Sequence, residues 1–204
     1  VIRPEVYATE GPLKMGEVVR KISEATNNDA VLVTDVGQNQ IMAARYFKFT
    51  KSRSVVTSGG LGTMGFGIPA AIGAKIGAPK RTVCMFAGDG GFQMTIQELG
   101  TIMEKQIGVK MIILNNNYLG MVRQWQELFY DRRYSFTELV NPDFELLAKA
   151  NHLQYRYVDK HEDLDDAVKE MRNANGAFLL EVRVQKEENV FPMVPAGQPL
   201  ENIR

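Results

Sequence analysis

This sequence is poor in the features that mark several large classes of protein. One cysteine, Cys84, among 204 residues excludes a disulfide framework within the chain. It sits in an apolar run, where a thiol packs as a small hydrophobe, and such a chain suits a reducing cytoplasm. The two histidines, His152 and His161, fit no zinc pattern and read as surface or turn residues. Neither sign of charge prevails, with 24 Lys plus Arg against 24 Asp plus Glu, and no basic stripe alternates with aromatics, which argues against a nucleic-acid partner. No apolar stretch reaches the roughly 18 residues of a membrane helix, and no signal-peptide pattern opens the chain, so a soluble protein with no membrane partner is expected.

What is present is 45% hydrophobic and 24% charged residues, enough to bury the core of one α/β domain that binds a small ligand. The chain is organised around residues 88–117. Thr82 to Ala87 is a short apolar strand that stops at Gly88-Asp89-Gly90-Gly91. A helix is expected from about Phe92 to Gln106, with Phe92, Ile96, Leu99, Ile102 and Met103 on one face, and a second buried strand over Val109 to Leu114. The right-handed crossover of such a βαβ unit brings the C-terminal strand ends to one edge of a parallel sheet. Asp89 and Asn116 can therefore meet, offering one charged and one neutral oxygen. Mg²⁺ commonly takes one or two carboxylates and completes its octahedron with phosphate oxygens and water, and helix N-termini offer N–H groups to the same phosphates. The pattern suits a Mg²⁺-bridged diphosphate.

The rest of the chain continues the alternation. A helix over about Lys14 to Ala25 precedes a strand, Ala30 to Thr34, which breaks at Asp35-Val36-Gly37-Gln38-Asn39-Gln40 before a helix to about Phe47. That break is either an ordinary connection or a diphosphate contact through backbone N–H groups and amide side chains. After a brief strand, Ser54 to Thr57, Gly60, Gly62 and Gly65 satisfy G-x-G-x-x-G, but the next strand ends in Gly-Asp-Gly and lacks the isolated acid of a dinucleotide site. A helix of small residues over Pro69 to Ala74 suits close packing against the sheet or another subunit. Arg123 to Tyr130 shows no clean helical face and reads as an active-site loop or lid, or else as core through Trp125 and Phe129. A helix over Phe144 to Asn151, a strand near Gln154 to Val158, a charged helix from Asp163 to Asn173 and a strand over Ala177 to Val184 follow. The Pro-rich, apolar stretch Val190 to Gly197 is expected to lie in a groove. The fold class is α/β, a three-layer, mostly parallel sheet flanked by helices.

Gly88-Asp89-Gly90 through Asn115-Asn116 resembles the thiamine diphosphate motif of the decarboxylase and carboligase superfamily. Nearly all of the chain resembles the C-terminal, diphosphate-binding domain of acetolactate synthase catalytic subunits. The likeness is carried by Val36 to Gln40, the Ser58 to Gly67 run, Gln97-Glu98-Leu99, Leu119 to Val122 with Gln124-Trp125, and Phe191 to Pro195. It implies a linker over 1–12, a thiamine diphosphate/Mg-binding domain over 13–187 and a C-terminal tail over 188–204. By resemblance, Asp89, Asn116 and the Tyr118 carbonyl hold Mg²⁺. Val36, Gly37, Gln38 and Asn39, with Gly62, Gly90, Gly91, Leu119, Gly120 and Met121, surround the cofactor. Met64 supports its bent shape, and Trp125 packs on the second substrate.

The activity implied is thiamine diphosphate-dependent carboligation of pyruvate with pyruvate or 2-oxobutyrate, in branched-chain amino acid biosynthesis. FAD on an absent middle domain is implied, as are a homo-oligomer, dimer or larger, a regulatory subunit, and a neighbouring subunit's N-terminal domain carrying the glutamate that faces the cofactor. The chain alone is then inactive. Three positions depart from the family: Asn39 and Tyr118 stand where His is common, and Gly91 where Ser is. Glyoxylate carboligase, pyruvate oxidase and indolepyruvate decarboxylase share the Asp89 to Asn116 frame, and a non-catalytic phosphate-ligand module is the alternative of another class.

Overall fold

The apolar runs form six strands: β1 (Val31–Thr34), β2 (Val55–Thr57), β3 (Val83–Gly88), β4 (Lys110–Asn115), β5 (Gln154–Val158) and β6 (Phe178–Arg183). The helices are α1 (Met15–Ala25), α2 (Gln38–Tyr46), α3 (Gly67–Gly77), α4 (Asp89–Gln93), α5 (Glu98–Lys105), α6 (Gly120–Phe129), α7 (Phe144–Ala150) and α8 (His161–Asn173). This computed structural model describes residues 4–7, 10–195 and 197–203. Val1, Ile2, Arg3, Ala8, Thr9, Ala196 and Arg204, on which parts of the linker and tail expectations fall, lie outside the described residues.

The strands run in the order β2-β1-β3-β4-β6-β5 and every pairing is parallel, so the sheet expected to be mostly parallel is parallel throughout its described strands. Side chains alternate between its two faces. Leu32, Phe86, Ile112 and Leu180 pack with α1, α2 and α8, whereas Val33, Met85, Ile113 and Leu179 pack with α3, α4, α5 and α7. The charged helix α8 buries Leu164, Ala167, Val168 and Met171, a stripe at helical spacing.

Two expectations change. The single helix over 92–106 is two helices, α4 and α5, separated by residues 94–97. The break resets the helical phase: Phe92, Leu99 and Ile102 are buried, but Met103 points outward. The segment from Arg123 is no loop. It continues helix α6 with its polarity inverted, since Arg123 and Gln124 are fully buried while Val122, Trp125 and Phe129 are exposed. Trp125 and Phe129 touch each other, their ring centroids 5.6 Å apart, on the outer side. Neither belongs to the core, and the hydrogen-bonding needs of the tail, described below, account for the inversion.

The sheet grows outward in both directions from β1 and β3. Such a reversal of strand order opens a crevice beyond the strand ends, where open α/β sheets bind ligands. The loops after β1 and β3 flank this crevice.

Candidate active site

A cavity of about 220 Å³ occupies the crevice. The loop after β1 supplies Val36, Gly37, Gln38 and Asn39; the glycine run supplies Gly62 and Met64; the turn after β3 supplies Gly90 and Gly91. The segment after β4 supplies Asn116, Tyr118, Leu119, Gly120 and Met121. Asp89 is the exception among the expected cofactor contacts: it is completely buried beneath this wall. Helices α2 and α6 both begin at the cavity and neither has a side-chain cap, so first-turn N–H groups and the positive ends of two helix dipoles face one space. Such an arrangement favours an anion. A Cβ on Gly120 would collide with Gln38 Oε1 and stand 3.0 Å from Asn116 Nδ2, and one on Gly90 would stand 2.7 Å from Leu119. The backbone approaches the space this closely only because these residues are glycine.

Three buried oxygens around the cavity have no hydrogen-bond partner: Asp89 Oδ1, Gln38 Oε1 and Asn39 Oδ1. The amide orientations follow from their other ends. Gln38 Nε2 donates to Gln124 Oε1 at 2.9 Å and to the Glu188 carbonyl at 2.7 Å, and Asn39 Nδ2 donates to the Val36 carbonyl at 3.1 Å. The Gln38 amide hydrogens expected to reach a diphosphate are therefore committed to the protein, which leaves the backbone N–H groups and the second Asn39 amide hydrogen as donors on this side. Asp89 Oδ2 accepts from Asn141 Nδ2 at 2.7 Å. Burial, opposed by that hydrogen bond, pushes the Asp89 carboxyl up to about 6. A buried carboxylate oxygen without a hydrogen-bond partner calls for a cation. Asn116 Oδ1 accepts the Tyr118 N–H at 3.1 Å and keeps a second lone pair. Among the described residues no group of three or more His, Cys, Asp or Glu side chains could hold a metal, so an ion here would rely on one carboxylate, neutral oxygens and its ligand.

Several residues at the site have structural roles that the sequence did not indicate. Asp35, almost fully buried, accepts from the backbone N–H groups of Val36 (2.8 Å), Gly65 (3.2 Å) and Gly67 (2.8 Å), joining the loop after β1 to the glycine run. A Cβ on Gly91 would collide with Asp35 Oδ1, which gives the glycine there a structural reason. The G-x-G-x-x-G pattern thus wraps a carboxylate. Buried Gln124 binds both the N–H and carbonyl of Val190, at 2.9 and 3.1 Å, and Arg123 donates to the Glu188 carbonyl and Asn189 Oδ1 at 3.1 and 2.5 Å. Residues 188–190, where the tail begins, are held by polar side chains on the inner face of α6, whereas Pro192 and Gly197 are exposed. A polar residue inside an apolar helix pattern was the available signal.

Trp125 lines a second cavity, with Gln40, Ile41, Pro192 and Met193, that shares Val36, Gly37 and Met121 with the first. His161 is more engaged than a surface residue, with Nδ1 3.0 Å from buried Glu17 and Nε2 3.0 Å from the Gly11 carbonyl. Burial pushes the Cys84 thiol up to about 12, which keeps it inert.

Comparison with known proteins places these features in context. Residues 35–182 match the family model described as thiamine pyrophosphate enzyme, C-terminal TPP binding domain. The acetolactate synthase large subunit of Lactococcus lactis is 48% identical over 89% of this chain and 32% of its own length. The isozyme 2 large subunit of Escherichia coli is 45% identical over 88% and 33%, and the mitochondrial catalytic subunit of Saccharomyces cerevisiae 43% identical over 98% and 30%. The chain spans about a third of the length of these relatives. Among solved structures, the thiamine diphosphate-dependent 4-hydroxybenzoylformate decarboxylase of Rhodococcus jostii superposes with a TM-score of 0.81 at 25% identity, over 89% of this chain and 34% of that one.

Proposed function

Because the chain belongs to the thiamine pyrophosphate enzymes, matching their C-terminal cofactor-binding domain, we propose that it is the cofactor-holding part of an acetolactate synthase catalytic subunit. The observation that carries this reading is the pairing, at the strand-order reversal, of two uncapped helix N-termini that begin at one cavity with the partnerless oxygen of Asp89, buried beneath the cavity's wall. A diphosphate meets the first and a divalent cation the second. Asp89, Asn116 and the Tyr118 carbonyl would hold Mg²⁺. Backbone N–H groups from Gly37 to Asn39 and from Gly120 to Met121 would face the diphosphate. Val36, Gly62, Gly90, Gly91 and Leu119 would wall the cofactor, and Met64 would support its bent shape. Bound thiamine diphosphate supplies the carbanion chemistry, while the chain supplies position and field.

In this proposal the substrates are pyruvate and a second 2-oxo acid, pyruvate or 2-oxobutyrate. Trp125, separated from the cofactor cavity only by the shared wall of Val36, Gly37 and Met121, would pack on the second substrate. The domain spans 13–187, with a lead-in linker over 1–12 and a tail over 188–204. Its partners are a neighbouring subunit's N-terminal domain within a homo-oligomer, a FAD-carrying middle domain and a regulatory subunit. Among the described residues no helix is long and apolar enough to cross a membrane, and the cytoplasm is the compartment proposed.

An assay of acetolactate formed from pyruvate tests the proposal. The full-length catalytic subunit should form it only with thiamine diphosphate and Mg²⁺, and the 204-residue chain alone should form none. Product from the isolated chain would refute the half-site, and no product from the full-length subunit would refute the activity.

A further inference from the structure

Asn141 lies outside the cavity, and none of the roles above falls on it. Its side chain nevertheless holds the inner oxygen of the carboxylate at the site. Asn141 Nδ2 donates to Asp89 Oδ2 at 2.7 Å and to Asn115 Oδ1 at 3.1 Å, while its own Oδ1 accepts from Gln93 Nε2 at 2.9 Å. The orientation of this amide is dictated by its neighbours. An ionised carboxylate only accepts, and Asn115 Oδ1 is fixed as the oxygen because it also accepts the Asn117 backbone N–H at 3.1 Å and Arg183 Nη1 at 3.3 Å. Asn115 Nδ2 then donates to Glu181 Oε1 at 2.7 Å, and Glu181 Oε2 accepts the Tyr155 hydroxyl at 2.6 Å. Turning either asparagine amide over would set acceptor against acceptor. Donation diverges from Asn141, through Asn115 to Glu181 on one side and directly to Asp89 on the other, and of the two carboxylates at its ends only Asp89 Oδ1 is left without a partner.

We infer that Asn141 is a positioning residue for the metal-holding carboxylate. By tying Asp89 Oδ2 it stops the carboxylate from rotating, selects Oδ1 as the ligand atom and aims it. Gln93 holds Asn141 from the other side and also donates to the Asp89 carbonyl at 3.1 Å, so α4 carries both the carboxylate and the brace for its partner. The inference rests on the Mg²⁺ site proposed above. Partners of this kind, one bond removed from the ion, typically affect metal affinity by 10–100-fold.

The test is titration of Mn²⁺, as a paramagnetic substitute for Mg²⁺, into the protein with saturating thiamine diphosphate, read by electron paramagnetic resonance. Asn141→Ala should weaken Mn²⁺ binding by roughly 10–100-fold, and Asn141→Leu, which keeps the volume but no donor, should weaken it equally. A packing role predicts near-normal binding in Asn141→Leu, and that result, or unchanged binding in Asn141→Ala, overturns the inference. Gln93→Met removes only the brace. It should give a smaller loss in the same direction and decides the matter if the Asn141 variants fail to fold, unchanged affinity there again overturning the inference. Absence of cofactor-dependent Mn²⁺ binding in the unsubstituted protein would remove the metal site and this inference together, whereas normal binding there with no effect of the substitutions removes the inference alone.

Discussion

Lys110 and Asp89 are buried charged groups at opposite ends of the sheet, and they are treated in opposite ways. Lys110, at the start of β4, donates to the carbonyls of Ala174 and Gly176 at 2.7 and 2.8 Å, closing the end of α8. Asp89, just past the end of β3, is held by one oxygen and left open at the other. At the first end the polar group is satisfied within the chain and serves the fold. At the second the chain stops short of satisfying it, and the Mg²⁺ proposed above would complete its bonding.

The largest expected effect comes from filling the space at the open end. Gly120→Val would drive a side chain into Gln38 and Asn116, and thiamine diphosphate binding should fall by about 100-fold or more, since two groups lining the site must shift. Equal affinity for the cofactor in this variant would mean the cavity is not where it binds.

The open carboxylate should also reveal itself in pH dependence. Its folded value of about 6 lies above the ordinary 3.8, so the folded protein holds this proton more tightly than the unfolded chain does. Its contribution is present at low pH and is lost as pH rises from about 4 through about 6, a difference of about 3 kcal/mol. Without cofactor, the unfolding free energy of the protein should therefore contain a component that falls between pH 4 and pH 6.5 and is missing in Asp89→Asn. Matching pH profiles for the two proteins would show that Asp89 is not held as described.

Much of this was legible in the sequence for definite reasons. Glycine, asparagine and aspartate punctuate apolar runs, so the strands and their alternation with helices could be placed, and the loops that carry the site residues follow from strand ends. What was hidden depends on side chains meeting across the fold. Asp35 looked like part of a loop because its three donors are backbone groups, two of them thirty or more positions away in the glycine run. Helix α6 looked irregular because its polar residues face inward to hold the tail, and Asn141 sits in the connection ahead of α7 while its partner Asp89 lies 52 positions earlier. The break between α4 and α5 left no proline to mark it.

Two smaller effects sharpen the contrast. Lys110→Met leaves two carbonyls without their donor and should lower stability by about 1–3 kcal/mol in denaturant unfolding while cofactor affinity stays the same. A coupled loss of affinity would break the separation between the two ends. Trp125→Leu should lower the preference for 2-oxobutyrate over pyruvate in the full enzyme, by at most the roughly 1–3 kcal/mol that one methylene can be worth in a pocket. A product ratio equal to that of the unsubstituted enzyme would remove Trp125 from substrate selection.

In the proposed site Asp89 completes its coordination with a divalent cation that bridges to the cofactor's diphosphate. Calorimetric titration of thiamine diphosphate, with Mg²⁺ and with a chelator, into this chain and its Asp89→Ala variant tests it most directly. The account predicts Mg²⁺-dependent binding to the unsubstituted chain and a loss on the order of 1.5–3 kcal/mol or more in the variant. Equal heats and affinities for the two proteins, or binding indifferent to Mg²⁺, would contradict it.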